Sequence, residues 1–334
     1  MADDSTPPQP TTIQHLASAV YPSFAMLAGM QLDVFTPLKD GPLTATQVAE
    51  ALGVHPEKLS RLLYALVTAE LLTVHGDRFA NTPEAQQCLV KGTPTYLGGR
   101  HENFSENWEA LPHTSETIRT GVPQCKRDFA ATSPDDQIHF FRGLHPATVA
   151  NGRALAARYD FSSATTLADI AGGSGGMALA LTDAYPHLRA TVMDLPTVTP
   201  ITQRFLAEAG ATDRVQVVAA DVVNAPVPGT YDVAVLRAFL QVLSPEDALQ
   251  ALRNIGAALH PGGRLYVVGR ILDNSRLAPV ESVGFDLVFL NVFDEGRAYT
   301  EGEYRAWLTA AGFAEIERVV IAEGASIMTA RTPV

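Results

Sequence analysis

The stretch Asp169-Ile-Ala-Gly172-Gly173-Ser-Gly175-Gly176 constrains this chain more than any other. It comes after the apolar run 165–168 and leads into Met177-Ala-Leu-Ala-Leu, so it reads as a buried strand, a glycine turn and the first turns of a helix. Glycines let a backbone swing tightly and approach a ligand closely, and the helix start behind them presents unpaired N–H groups. The turn alone leaves the ligand open, because Gly173-Ser-Gly175-Gly-Met-Ala178 also fits the dinucleotide pattern G-x-G-x-x-A.

The segments beyond the turn narrow the choice. Strands are expected near 165–171, 189–194, 214–219, 231–236, 263–270, 315–322 and 325–331, and helices near 176–185, 197–209, 245–259 and 301–312. Such alternation means a mostly parallel sheet with helices on both faces. The last two runs are joined by only Glu323-Gly324 and must pair as an antiparallel hairpin, an ending that a dehydrogenase sheet does not need and a methyltransferase sheet has. Ligands of open α/β sheets bind at the carboxyl ends of the strands. Asp169 ends the first strand. Asp194, next to Leu195, ends the second, 19 residues past Gly175, where a carboxylate can hold both ribose hydroxyls. Asp221-Val222 ends the third, where a carboxylate and a backbone N–H can read an adenine edge; Arg237 ends the fourth. Any one Asp could simply cap the next helix. Three in register with a glycine turn point to S-adenosylmethionine.

The 334 residues allow one large or two ordinary domains, and 46% hydrophobic with 18% charged residues is a globular composition. A net charge of −12 argues against nucleic-acid or anionic-membrane partners. Cys88 and Cys125 have no metal-type spacing, nor do the histidines, so no metal is expected, and free thiols suit a reducing cytoplasm. No stretch reads as a signal peptide or membrane span, and 1–10 reads as a loose polar tail. Residues 11–38 carry helical apolar spacing. From 41 to 80 a capping box (Thr44, Gln47), a helix-starting Pro56, a leucine face (Leu59, Leu62, Leu63, Leu66) and a Gly76-Asp77 turn make a winged-helix pattern. With only Lys58 and Arg61 on its second helix, the wing suits dimer packing rather than DNA. The expected division is a winged-helix-like dimerisation domain at 11–100, a helical linker and substrate-pocket region at 101–160, and a cofactor domain at 161–334.

Together these motifs resemble the dimeric small-molecule O-methyltransferases of the caffeic-acid and antibiotic type. The resemblance runs through Leu32-Asp-Val-Phe35, Leu43 to Ala49, Leu62 to Leu66, Ala171 to Gly175, Asp194-Leu-Pro196, Asp221, Leu236-Arg237 and Pro261 to Leu265. It implies a helical dimerisation domain joined to a Rossmann-like class I methyltransferase domain, a homodimer, S-adenosylmethionine as methyl donor, and a cofactor site at Asp169, Gly172, Gly173, Gly175, Asp194, Leu195, Asp221, Val222 and Arg237.

The chain departs from this family at the chemistry. The family's catalytic His, in a segment like L-R-H-x-L-H-x-W, corresponds to Gln241 of Leu236-Arg-Ala-Phe-Leu-Gln241-Val-Leu243, and its two acidic partners correspond to Gly269 and Ala298. A phenol with pKa near ~10 needs a base to lose its proton at neutral pH, and glutamine is none. A thioether sulfur or a carboxylate needs no base. The expectation is therefore S-methylation of a small thioether acid such as 4-methylthio-2-hydroxybutyrate, which some bacterial relatives methylate in dimethylsulfoniopropionate synthesis. The alternatives are O- or C-methylation with a base relocated to His139 or His145, a pericyclase-like use of the bound cofactor, or a non-catalytic cofactor sensor. Trp108, Phe140, Phe289 and Phe293 are candidate pocket walls; Tyr96, Arg142, His145 and Asn291 are candidate anchors. Each reads equally well as core or surface.

Overall fold

The computed structural model describes residues 8–127, 132–321 and 324–334; Glu323 of the expected terminal turn and most of the amino-terminal tail lie outside the described residues. The chain forms two compact units, one ending at Ser105 and one spanning Glu106–Val334.

In the first unit, helices Thr11–Ser18 and Val20–Gln31 precede Ala45–Leu52 and Pro56–Thr68. Thr44 accepts from Gln47 N while the Gln47 side chain accepts from Thr44 N, and Gly53 closes the same helix in the left-handed conformation. Strands β1 (Leu43–Thr44), β2 (Leu72–His75) and β3 (Arg78–Asn81) form the wing in the order β1-β3-β2. Leu59, Leu63 and Leu66 are buried with Val34, Phe35, Val48, Leu72 and Phe79, while Leu62 is only half-buried. Helix Thr11–Ser18 buries nothing, and Ile13, Leu16, Val20 and Tyr21 are exposed.

The second unit holds strands β4 (Thr166–Ile170), β5 (Arg189–Asp194), β6 (Val215–Ala219), β7 (Tyr231–Arg237), β8 (Leu259–Gly269), β9 (Ala314–Val320) and β10 (Ser326–Arg331). Their order is β6-β5-β4-β7-β8-β10-β9, with β10 antiparallel to both β8 and β9 and the other pairs parallel. This is the seven-stranded class I methyltransferase sheet. β8 begins at Leu259, earlier than its apolar run, because Leu259 pairs with Tyr231 before the register shifts around 260–263. The strand order reverses at β4, which opens a crevice beyond its carboxyl end.

Period-two alternation divides the sheet residues between two apolar layers. Ala168, Ile170, Leu236 and Leu265 pack with Leu252 and Leu308 on one face; Leu167, Val192, Val235 and Val268 pack with Met177, Leu181 and Leu155 on the other. Helix Gly176–Ala184 is buried from Gly176 through Thr182, which explains its all-round apolar sequence. Across it runs the long helix Pro134–Arg158. A Cβ on Gly152 would lie 2.6 Å from Ala180 Cβ, so glycine is what permits this approach. The close packing brings residues 141–148 of the long helix against the glycine turn.

Candidate active site

Alternation puts Asp169 on the same sheet face as Leu167, beneath the helix that begins at the turn. Its Oδ2 accepts from Ala178 N at 3.1 Å; its Oδ1 is buried without a partner, and burial pushes its pKa up to about 7. Gly172 N donates to Met193 O at 3.2 Å, Gly173 has φ 53°, and Gly175, at φ 73°, starts the helix. A Cβ on Gly173 would sit 2.6 Å from Phe141 Cε1. Asp194 Oδ2 accepts from Gly173 N and its Oδ1 from Leu195 N, both at 2.8 Å. Burial raises the Asp194 pKa, and the two backbone donors oppose that. Leu195 contributes this N–H while its side chain is exposed. Thr202 Oγ1 donates to Gly173 O at 2.6 Å.

Asp221 is committed to its own turn. Its Oδ1 accepts from Val223 N and Asn224 N at 3.1 and 3.2 Å and its Oδ2 from Asn224 Nδ2 at 2.8 Å, contacts that hold its pKa below the usual range. Val222 beside it is buried. Arg237 Nε donates to Asn151 Oδ1 at 2.8 Å, joining the end of β7 to the long helix.

Gln241 lies on the short turn Leu240–Val242 and is buried. Its Oε1 accepts from Arg270 N at 3.0 Å and would be 2.8 Å from a Cβ on Gly269. The glutamine amide thus fills the space above the glycine. Ala298 is fully buried, and its N donates to Asp286 Oδ1 at 2.5 Å. Burial raises the Asp286 pKa. None of the positions 241, 269 and 298 carries a side chain that can take a proton at neutral pH.

The other expected residues scatter. His145 Nδ1 lies 2.8 Å from Ser174 Oγ, in the glycine turn rather than beside Gln241's contacts. Arg142 is exposed, 3.3 Å from Glu208. Phe140 meets Phe141 edge-to-face at 5.2 Å with the Arg127 guanidinium 4.3 Å from its centroid. Asn291 is fully buried and makes three bonds: it accepts from Thr117 Oγ1 at 2.6 Å and donates to Thr114 Oγ1 and Leu287 O at 2.9 and 2.7 Å. Such an amide ties helix Val280–Val292 to helix Thr114–Thr120, with both of its N–H donors engaged within the protein. Phe289 and Phe293 pack with Leu272 and Ala298, Trp108 is half-buried, and Tyr96 lies in the first unit against Gly98. Sequence reasoning missed Ser174, Thr202, Asn151 and Asp286. Only Ser174 carried a signal, its place inside the turn. Among the described residues no group of three or more His, Cys, Asp or Glu is placed to hold a metal, and no helix is long and apolar enough to cross a membrane.

Residues 119–314 match the O-methyltransferase domain model, and residues 14–91 match the O-methyltransferase dimerisation domain model. The chain belongs to the O-methyltransferase family. It is 31% identical to the tetracenomycin polyketide synthesis 8-O-methyl transferase of Streptomyces glaucescens, over 97% of each chain. It is 30% identical to the 3-hydroxy-5-methyl-1-naphthoate 3-O-methyltransferase of Streptomyces sahachiroi, over 94% of this chain and 93% of that one. Its fold matches that of human N-acetylserotonin methyltransferase in complex with S-adenosylmethionine, with a TM-score of 0.85, 22% identity and full coverage of both chains. As an O-methyltransferase the chain uses S-adenosylmethionine, and the site suits that donor. The cradle at Gly173 leaves no room for a side chain, a helix start lies behind it, Asp169 Oδ1 wants a donor, and the Asp194 carboxylate stands at the next strand end.

Proposed function

We propose that this O-methyltransferase transfers the methyl group to an acceptor oxygen that reaches the site already deprotonated, an enol or aromatic hydroxyl acidified by a conjugated carbonyl. The carrying observation is Gln241: its amide is locked on Arg270 N–H over Gly269, at the position that the sequence resemblance assigns to the family's base. An amide is not protonated at neutral pH, so Gln241 cannot take the acceptor's proton, and an acceptor that is already ionised asks for no base. The O-methyltransferase domain model and the two Streptomyces relatives, one acting in polyketide synthesis and one on a hydroxynaphthoate, favour oxygen over the thioether sulfur that the missing base alone suggests, and favour an acceptor of secondary metabolism.

Bound S-adenosylmethionine supplies an electrophilic methyl group on sulfur. The chain supplies position. Gly173 N–H and the Asp194 carboxylate hold the cradle, with Asp169 and the N–H groups behind Gly175 at its floor. Arg237 at the end of β7 and Arg270 just past the end of β8 put positive charge at neighbouring strand ends, which favours an anionic acceptor. Catalysis then rests on proximity, alignment and exclusion of water. The dimerisation model and the exposed Ile13, Leu16, Val20 and Tyr21 support a homodimer through the first unit.

The test is a set of aromatic and enolic acceptors of graded oxygen pKa, with a thioether acid alongside, assayed for S-adenosylhomocysteine release across acidic to alkaline pH. The midpoint of kcat/KM should track each acceptor's own pKa. A single midpoint common to all acceptors would reveal an enzyme base and overturn the reading, and so would transfer to the thioether alone.

A further inference from the structure

The long helix Pro134–Arg158 makes a contact with the glycine turn that methyl transfer itself does not use. His145 Nδ1 lies 2.8 Å from Ser174 Oγ, and Ser174 is buried between Gly173 and Gly175. The imidazole rests on Phe205, with ring centroids 4.9 Å apart. Phe205 belongs to helix Thr199–Glu208, whose Thr202 holds Gly173 O at 2.6 Å. Two consecutive residues of the cradle are therefore clamped from two different helices. Gly173 is also the residue whose N–H meets Asp194.

Burial holds the His145 pKa below its usual value; Arg142, on its own helix, pushes the same way, and Glu208 on the facing helix opposes them. Arg204 faces Glu208 on that helix, and Asp169 and Asp194 flank the turn on the sheet side. The ring is thus neutral at neutral pH.

We propose that neutral His145 is a positioning residue for the cofactor cradle, its Nδ1 accepting the Ser174 O–H and thereby fixing the backbone donors of residues 173–175. A proton on Nδ1 turns that acceptor into a donor. The Ser174 hydroxyl, buried, then loses its acceptor and must rotate, and the cradle loosens. This role concerns the cofactor and is independent of the nature of the acceptor.

The experiment is calorimetric titration of the full-length protein with S-adenosylhomocysteine at about pH 8 and about pH 4.5, the second well below the usual histidine range because burial lowers the pKa of this ring, with thermal unfolding without ligand as the folding control at each pH. His145→Phe keeps the stack on Phe205 and removes the acceptor. It should weaken binding about five- to tenfold at the higher pH, the worth of one hydrogen bond. At the lower pH the wild type should lose most of its advantage over this variant as the imidazole takes up a proton. His145→Asn, which offers an amide oxygen near the Nδ1 position, should bind like wild type at the higher pH and keep that advantage at the lower. Asp169 and Asp194 titrate in every variant, so the affinity ratios isolate the ring. In a Ser174→Ala background, His145→Phe should no longer change the affinity. Equal affinity of wild type and His145→Phe at the higher pH, or a ratio that does not change with pH, overturns the proposal. If His145→Phe proves unfolded, the ratio of wild type to His145→Asn across the two pH values decides alone.

Discussion

Replacing Gly269 by alanine adds one methyl group at the end of β8, where the Gln241 amide already sits. The new Cβ would lie 2.8 Å from Gln241 Oε1, well inside contact distance. Gly269 is not among the residues with positive φ, so the main chain accepts alanine and the conflict falls on the amide. To yield, Oε1 must leave the Arg270 N–H from which it accepts at 3.0 Å. A half-buried N–H left unpaired costs about 1–2 kcal/mol. Loss of the glycine's freedom in the unfolded chain offsets about 0.4–1 kcal/mol of this. The net loss is about 1 kcal/mol, or about 2–4 °C in Tm for a unit of this size. The decisive assay is a double-mutant cycle with Gln241→Ala, read by thermal or denaturant unfolding. Once the amide is gone the added methyl group meets nothing and only the unfolded-state term remains, so Gly269→Ala should become stabilising by about 0.4–1 kcal/mol, with a coupling energy of about 1–2 kcal/mol. An additive cycle would refute the claim that glutamine at 241 and glycine at 269 are fitted to one another.

Three further outcomes are expected. Because burial lifts the Asp169 pKa to about 7, the native state keeps a proton that the unfolded chain releases; cofactor-free stability should therefore fall as pH rises from about 4 to about 7, by up to about 4 kcal/mol. Asp169→Asn should flatten that decline in a Tm-versus-pH series, and a variant with an unchanged profile would exclude Asp169 as its source. Asp194→Ala removes the acceptor for both Gly173 N and Leu195 N and should weaken S-adenosylhomocysteine binding about 10- to 100-fold by calorimetry; a change under about twofold would take Asp194 out of the site. Asn291→Leu strands the Thr117 hydroxyl and removes the donors to Thr114 Oγ1 and Leu287 O, Thr114 keeping its own bond to Leu111 O, and should lower unfolding stability by about 1–3 kcal/mol, against near-neutrality if Asn291 simply faces a solvent-filled pocket.

Much of the fold was legible because its signals are local. The Thr44–Gln47 capping box, Pro56 at a helix start and the strand runs ending at Ile170, Asp194 and Ala219 each depend on neighbours within a few residues. The glycine turn was legible for the same reason. The partners of the expected pocket side chains were not. Asn291 reads as a polar anchor in sequence, and only the tertiary structure shows its amide bonded to Thr114 and Thr117, 177 and 174 residues away. Arg142 and His145 lie one helical turn apart, yet one reaches the exposed Glu208 and the other the buried Ser174.

The sequence by itself determined the sheet order's two essentials, a glycine turn at the switch strand and an antiparallel final hairpin, and with them the methyl donor. It also determined that no base stands at 241, 269 or 298, since side-chain chemistry does not depend on the fold. Tertiary structure alone decided what fills the vacated space. Gln241 turns onto Arg270 N–H because Gly269 leaves room beside it, and His145 meets Ser174 because Gly152 lets two helices touch. These are contacts between distant segments, fixed by close packing, and no spacing within either segment encodes them.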